Sequence, residues 1–490
     1  MKFEEPLLFE ISRPGRSGVS LPKRSDHCEA PQTLRRANPA RLPEVSEPEV
    51  IRHFTRLSQW NFSIDTNFYP LGSCTMKHNP RVNEEVARYT GFAHVHPYQP
   101  DETVQGCLQL MFELERSLAA ISGMDAVTLQ PAAGAQGELT GILMIRAHLA
   151  SQGNPRKKIL IPDSAHGTNP ATSSMAGYEV VQIRTGKEGF LPASVVANLM
   201  NEDVAAIMLT NPNTLGIFEK DIRAIADIVH AKGGLVYGDG ANLNALMGKC
   251  RPGDMGIDLL QFNLHKTFTT PHGGGGPGSG PVAVKKFLEP FLPLPRIVEK
   301  SPLHPPLQKG GTGGFYSLSE DCPDSIGRMK IFYGNFGMLV RAYTYIREMG
   351  AEGLTAVTER AVLNANYIRS QLKDTYHLPF ETPSMHEVVF SDKKQKDHGV
   401  TTMDIAKRLL DYGFHSPTIY FPLVVFGALM IEPTETETRE TLDQFCEAMK
   451  SIAHEAQTDP QKLKAAPHTA KLRRLDEAKA ARELKLRFEF

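Results

Sequence analysis

Lys266, Asp239 and His166 stand in three stretches with a common plan: "DLLQFNLHK", "GGLVYGDGAN" and "KKILIPDSAHGTNPAT" each run through apolar residues and then present one reactive side chain. Short apolar runs bounded by Gly, Pro and Asp read as buried strands. A parallel sheet collects its strand ends along one edge, where ligands bind. A lysine, an acid and an imidazole are therefore set to converge. A fourth stretch, "TLQPAAGAQGELTGILMIRAH", places small residues Ala132 to Ala135 and polar Gln136 at a helix start, where backbone N–H groups can meet an anion closely. These parts suit pyridoxal 5'-phosphate. The lysine would hold its aldehyde as a Schiff base, the acid would keep the pyridine nitrogen protonated, the flat imidazole would stack on the ring, and the helix end would hold the phosphate. Singly, Asp239 reads equally well as a cap, His166 as a satisfied buried histidine and Lys266 as a surface charge. Their order and spacing favour the functional reading.

The stretch after the lysine, "TFTTPHGGGGPGSGP", carries Gly273, Gly275 and Gly278 in G-x-G-x-x-G spacing. A dinucleotide loop needs a strand before its glycines and a helix after them. Here Gly280 and Pro281 lead into "VAVKKF", which reads as a strand, and no acid ends a suitable second strand. The glycines read instead as backbone clearance beside Lys266, serving a passing substrate arm, a closing loop or a tight crossing.

Strand-like runs "KKILIPD", "YEVVQIR", "VAAIMLT" and "GGLVYGD" alternate with helix-like segments such as "DIRAIADIVHAKG". That alternation predicts an α/β domain with a mainly parallel sheet covered on both faces. A helix is expected over "IGRMKIFYGNFGMLVRAYTYIREMG" and another over "LTAVTERAVLNANYIRSQL". Strands at "HEVVFS" and "YFPLVVFGALMIEP", with helices at "TTMDIAKRLLDYG" and "ETLDQFCEAMKSIAHEA", predict a smaller α+β domain. The expected division is an extended arm over 1–72, a large domain over 73–325, a small domain over 326–455 and a basic tail over 456–490.

The chain has 490 residues, 41% of them hydrophobic and 22% charged, with a formal charge of -1. Such a balance supplies no long-range field for nucleic acid or an anionic membrane, so neither is an expected partner. Six cysteines, Cys28, Cys74, Cys107, Cys250, Cys322 and Cys446, are dispersed without a C-x-x-C. That excludes a zinc ribbon or a disulfide framework and suits a reducing cytoplasm, with no metal site expected. The opening "MKFEEPLLFE" carries acids where a targeting peptide is basic.

Eight blocks in one order carry a resemblance that runs over nearly the whole chain: "FYPLGSCTMKHNP", "HPYQPDETVQG", "TLQPAAGAQGE", "DSAHGTNPAT", "YGDGANLNA", "NLHKTFTTPHGGGGPGSGP", "SPTIYFPLVV" and "MIEPTETE". The chain resembles the glycine decarboxylase family, the P-protein of the glycine cleavage system, and within it the second subunit of the split form. The resemblance implies fold type I of the pyridoxal enzymes, with a seven-stranded type of sheet in the large domain. It implies Lys266 as the Schiff-base lysine, Asp239 as the acid on the pyridine nitrogen and His166 as the stacking imidazole. Gly134, Ala135 and Gln136 are assigned to the phosphate. Thr168, Asn242 and His265, in the same motifs, join them as cofactor contacts, and Ser73 and Thr75 are assigned to substrate. The implied reaction is decarboxylation of glycine, with release of CO2 and transfer of the aminomethyl group to the lipoyl arm of H-protein. Full-length members of the family are about twice this length, with a lysine-free first half. This chain corresponds to the other half, so a homologous lysine-free subunit 1 is the expected partner, most simply as α2β2. The alternatives are another fold type I activity, such as an aminotransferase or a desulfurase, or a non-catalytic assembly subunit.

Overall fold

The computed structural model describes residues 5–19, 31–38, 40–273, 278–300 and 315–486. Cys28 and the central glycines of the loop after Lys266, residues 274–276, lie outside them. The chain divides into two compact units, Met1–Thr66 with Thr469–Phe490, and Asn67–His468.

In the first unit a helix forms at Glu47–Ser58, inside the segment read as an extended arm. Its start is encoded by a capping box: the Glu49 carboxylate accepts from Ser46 N at 2.8 Å. Glu5 accepts from Arg56 at 2.5 and 2.7 Å and lies 2.9 Å from His53 Nδ1. Lys471 lies over the Trp60 ring at 5.6 Å, which ties the tail segment into the same unit.

The second unit is built on β1 (Ala126–Thr128), β2 (Lys158–Pro162), β3 (Glu179–Ile183), β4 (Val204–Thr210), β5 (Leu235–Gly240), β6 (Leu259–Phe262) and β7 (Val282–Val284). They form one sheet of order β1-β7-β6-β5-β4-β2-β3. The pairs β3/β2, β2/β4, β4/β5 and β5/β6 are parallel, and β7 runs antiparallel to both neighbours. Every residue of β4 and β5 is buried, as expected of strands covered on both faces. The covering helices include α1 (Gln105–Ser122), α2 (Gly134–Ser151), α3 (Thr168–Met175) and α4 (Ile222–Ala231). One face packs Leu114, Leu118, Ile225 and Val229 against Val236 and Leu260; the other packs Ile142, Ile145 and Leu149 against Ala206 and Tyr237. The strands β8 (Arg296–Lys300) and β9 (Phe315–Ser319) form a separate antiparallel pair.

A long helix, α5 (Phe336–Leu372), is broken at Gly350, whose φ is +60°. Beyond it, β10 (Val388–Ser391), β11 (Thr418–Ile419) and β12 (Ala428–Ile431) make an antiparallel sheet of order β10-β12-β11. The helices α6 (Thr402–Asp411) and α7 (Arg439–Thr458) cover it with a core of Phe390, Ile405, Leu409, Leu429, Phe445 and Ile452. This is the α/β plus smaller α+β architecture expected from the sequence.

Two element boundaries differ from the sequence expectation. The helix expected from Ile326 starts only at Phe336, because Gly327 and Gly334 take φ of +85° and +84°, outside the helical region. The strand expected over "YFPLVVFGALMIEP" is confined to Ala428–Ile431; Tyr420, at φ +59°, turns the chain before a Pro-containing loop. Among the described residues no helix is long and apolar enough to cross a membrane.

Glu219 offers a stability test away from the site. Its carboxylate accepts from Leu191 N at 2.6 Å and Asn213 Nδ2 at 2.7 Å, yet burial pushes its pKa up to about 7. The folded chain thus keeps a proton that the unfolded chain releases near the ordinary value of 4.5. Stability contributed by that proton is fully present below the unfolded pKa and is lost as pH rises through the folded one. Glu219→Gln is expected to flatten the stability profile between about pH 4.5 and 7, removing a slope that totals of the order of 3 kcal/mol, as read by thermal melts across that range.

Candidate active site

The parallel ladder places the first cluster. Thr210 on β4 is in register with Asp239 on β5, and Asp239 with Gln261 on β6. In-register neighbours share a sheet face, so these three polar side chains form a row across the strand ends. Asp239 accepts from Gln261 Nε2 at 2.5 Å, Asn169 Nδ2 at 3.1 Å and Ala241 N at 2.9 Å. One donor comes from the next strand, one from α3 and one from its own loop, so the carboxylate is held from three directions.

Lys266 sits on the single turn Leu264–Thr267 directly after β6. His166 leaves the loop after β2, and its Nδ1 lies 2.9 Å from Thr168 Oγ1, which donates to Glu138 Oε1 at 2.7 Å. Phe421 meets the His166 ring edge-on at 5.8 Å and limits its rotation. Partial desolvation and then the Lys266 ammonium lower the His166 pKa, while Asp239 opposes them. Burial, His272 and Lys266 push His265 down to about 3, and its Nδ1 accepts from Ser279 N at 3.3 Å. Burial and then Asp239 raise Glu138 to about 7. Burial pushes the Cys74 thiol up to about 11, which makes it a poor nucleophile at neutral pH.

The start of α2 supplies the anion cradle. Its cap, Ala133, has extended φ/ψ and no side-chain cap. The first turn therefore leaves backbone N–H groups unclaimed. Gln136 braces this loop: its Oε1 accepts from Ala132 N at 2.7 Å and its Nε2 donates to Met329 O at 2.8 Å. A second brace is Asn335, which donates to Gly278 O at 2.5 Å and Ala132 O at 3.3 Å. Gly280 packs so closely that a Cβ there would lie 2.1 Å from Ala133 O. The described end of the glycine stretch thus clears space for the cradle backbone.

A cavity of about 160 Å³ joins these parts, lined by Ser73, Gly134, Ala135, His166, Thr168, Asp239, Asn242, His265 and Lys266 among the residues expected from the sequence. Gln136 does not line it, because its side chain serves the loop. Thr75 does not line it either; it is buried at 1% exposure and donates its N–H to Glu432 at 2.8 Å. The sequence reading missed Glu138, Thr210, Gln261 and Asn263, which also line the cavity. Their signal was present as a polar residue inside an apolar strand ("LLQF"), at a strand end ("MLT", "QFN") and an acid in an apolar helix ("GELTG").

Thr210 Oγ1, Asn242 Oδ1, Gln261 Oε1 and Asn263 Oδ1 are buried here without a hydrogen-bond partner in the protein. Such atoms call for a polar occupant. A phosphate-bearing aromatic aldehyde fits: an uncapped helix start as anion cradle, an acid on β5, a lysine on the turn after β6 and an imidazole from the loop after β2, all lining one cavity. Gly134 leaves no room for a side chain, since a Cβ there would lie 2.3 Å from Asn263 Oδ1. Gly134→Ala is expected to weaken pyridoxal phosphate binding by at least about tenfold, read from titration of the cofactor's visible absorbance.

The fold is that of the type I pyridoxal-phosphate enzymes. Similar in fold are a crystal structure of glycine decarboxylase (P-protein) of the glycine cleavage system, in inhibitor-bound form (TM-score 0.71, 23% identity, 86% of this chain and 93% of that one), and a cysteine desulfurase from Thermococcus onnurineus NA1 (TM-score 0.59, 16% identity, 80% and 95%). Residues 24–301 match the family described as glycine cleavage system P-protein, and residues 357–473 match the glycine dehydrogenase C-terminal domain. Probable glycine dehydrogenase (decarboxylating) subunit 2 of Listeria innocua serovar 6a is 55% identical over 498 aligned positions, covering 100% of this chain and 99% of the relative. The chain belongs to the glycine cleavage system P-protein family.

Proposed function

We propose that the chain is the pyridoxal-phosphate-bearing subunit of a split glycine decarboxylase, which removes CO2 from glycine and passes the aminomethyl group to the lipoyl group of H-protein. The observation that carries this reading is the convergence of Lys266, Asp239 and His166 on one cavity that also contains an uncapped helix start. Family membership supplies the reaction and leaves the aminotransferase, desulfurase and non-catalytic alternatives without support.

Pyridoxal phosphate supplies a protonated ring that accepts the electron pair left when a carboxylate departs. The chain's residues do the rest. Gly134 and Ala135 offer backbone N–H groups to the phosphate, with Gln136 and Asn335 fixing the loop that presents them. Asp239, held by Gln261, Asn169 and Ala241, would keep the ring nitrogen protonated. His166, backed by Thr168 and Phe421, would supply a flat imidazole to stack on the ring. Lys266, on the turn after β6, would hold the cofactor through its amine. Ser73 and the neutral His265 line the same cavity and would orient the small substrate for loss of its carboxylate.

The partners follow from the split form: a homologous subunit without the lysine, in an α2β2 assembly, and lipoylated H-protein. The test is exchange of labelled bicarbonate into the glycine carboxyl by this chain, with and without the partner subunit and lipoylated H-protein. Exchange that requires all three supports the proposal. No exchange, or equal exchange with a bulkier amino acid, overturns it.

A further inference from the structure

Behind Ser73 lies a group of buried acids to which the reaction assigns no task. Ser73 and Thr75 have φ of +61° and +49°. That left-handed backbone is strained for any residue with a Cβ and persists only where the surroundings enforce it. Each of the two donates its backbone N–H to a buried carboxylate: Ser73 N to Glu387 Oε2 at 2.8 Å, and Thr75 N to Glu432 Oε2 at 2.8 Å. Both glutamates are 0% exposed. They flank neighbouring antiparallel strands, Glu387 just before β10 and Glu432 just after β12, and the pairing of Val388 with Ile431 sets them opposite one another.

The remaining oxygens, Glu387 Oε1 and Glu432 Oε1, have no hydrogen-bond partner in the protein, and neither has either ring nitrogen of His386. One polar atom from each of the three side chains lies within 4.8 Å of the other two, with His386 Nε2 at 3.9 Å from Glu432 Oε1. Two buried carboxyl groups this close disfavour both being charged, which keeps one of them protonated. Burial, with Glu432 beside it, raises the Glu387 pKa well above the usual range; burial also raises that of Glu432, and the Lys266 ammonium opposes the shift in both. In either protonation state Oε2 of each carboxyl accepts its backbone N–H.

We propose that the Glu387–Glu432 pair is a positioning clamp: it holds the left-handed turn Ser73–Thr75 from behind and so sets where Ser73 stands in the cavity that Lys266 lines. The pair touches no reacting group and acts through Ser73. The clamp stands on this geometry alone; only its kinetic consequence rests on the glycine reading.

Hydrogen exchange on the folded full chain tests it first. The Ser73 and Thr75 amides are expected to exchange at least about tenfold more slowly than those of exposed turns, and Glu387→Leu to remove the protection at Ser73 while β10 and β12 stay protected. Glu387→Gln is expected to keep it, because an amide oxygen still accepts from Ser73 N and the amide NH2 donates toward Glu432. In the assembled holoenzyme, Glu387→Leu is expected to raise KM for glycine about tenfold with a smaller change in kcat, and Gln to restore it. Should Glu387→Leu fail to fold, adding Ser73→Gly, which takes a left-handed φ without strain, is expected to recover folding; failure to recover counts against the clamp.

A fast-exchanging Ser73 amide in the unaltered chain overturns the proposal. So does a Gln variant as damaged as Leu, and so does a stoichiometric divalent metal found by elemental analysis, which would make the three side chains a cation site. Loss of protection in Glu387→Leu, in a chain that never turns over glycine, leaves the clamp standing and removes the glycine reading.

Discussion

Lys266→Ala is expected to yield no borohydride-stable pyridoxyl adduct and to lower glycine decarboxylation by about 10⁴-fold or more. The turn Leu264–Thr267 points one lysine into a cavity also lined by Asp239, His166 and the α2 start, and among the described residues no second lysine lines that cavity. The lost amine therefore has no substitute among the cavity residues. The deletion should not unfold the chain, because the core around the turn is Leu264 and Phe268, both 0% exposed, and the substitution leaves them in place. Peptide mapping after borohydride reduction, with thermal melts as the control, checks both halves. An adduct on another residue, or retained turnover, would contradict the assignment.

Asp239→Asn is expected to lower kcat by about 10³-fold while leaving the fold and cofactor occupancy nearly intact. The three groups around the carboxylate, Gln261 Nε2, Asn169 Nδ2 and Ala241 N, are all donors. An isosteric amide must turn its own NH2 toward one of them or toward the ring nitrogen, and neither arrangement keeps a proton on that nitrogen. The ring then loses its capacity to accept electrons while still filling the cavity. Single-turnover kinetics with glycine, beside the cofactor's absorbance, separate the two effects. Equal loss of occupancy and turnover would mean that Asp239 serves binding alone.

Much of the site was legible in the sequence because parallel strands are short apolar runs with ligand-facing residues just past their ends. Asp239, Lys266 and His166 each follow such a run, and all three line one cavity. The small residues before α2 were legible for a similar reason: a helix start without bulky side chains exposes backbone N–H groups. Gln136 shows where this reasoning runs out. Its place at the helix start suggested a phosphate contact, but its side chain braces Ala132 and Met329, and Met329 lies 193 residues away. The segment before Phe336 has helical spacing, yet Gly327 and Gly334 take positive φ there, and Asn335 crosses to the cradle and the end of the glycine stretch.

The sequence by itself determined the alternation of strands and helices, the strand-end lysine, acid and imidazole, and the family that their order resembles. These are local properties, set by apolar period, turn residues and motif spacing. Only the tertiary structure decided which polar residues support them. Gln261 meets Asp239 through strand register, Thr168 links His166 to Glu138 across two helices, and Glu387 and Glu432 reach Ser73 and Thr75 from 314 and 357 residues away. Hydrogen bonds between buried groups depend on distances that no period in the chain encodes, so those partners became visible only once the strands had been laid side by side.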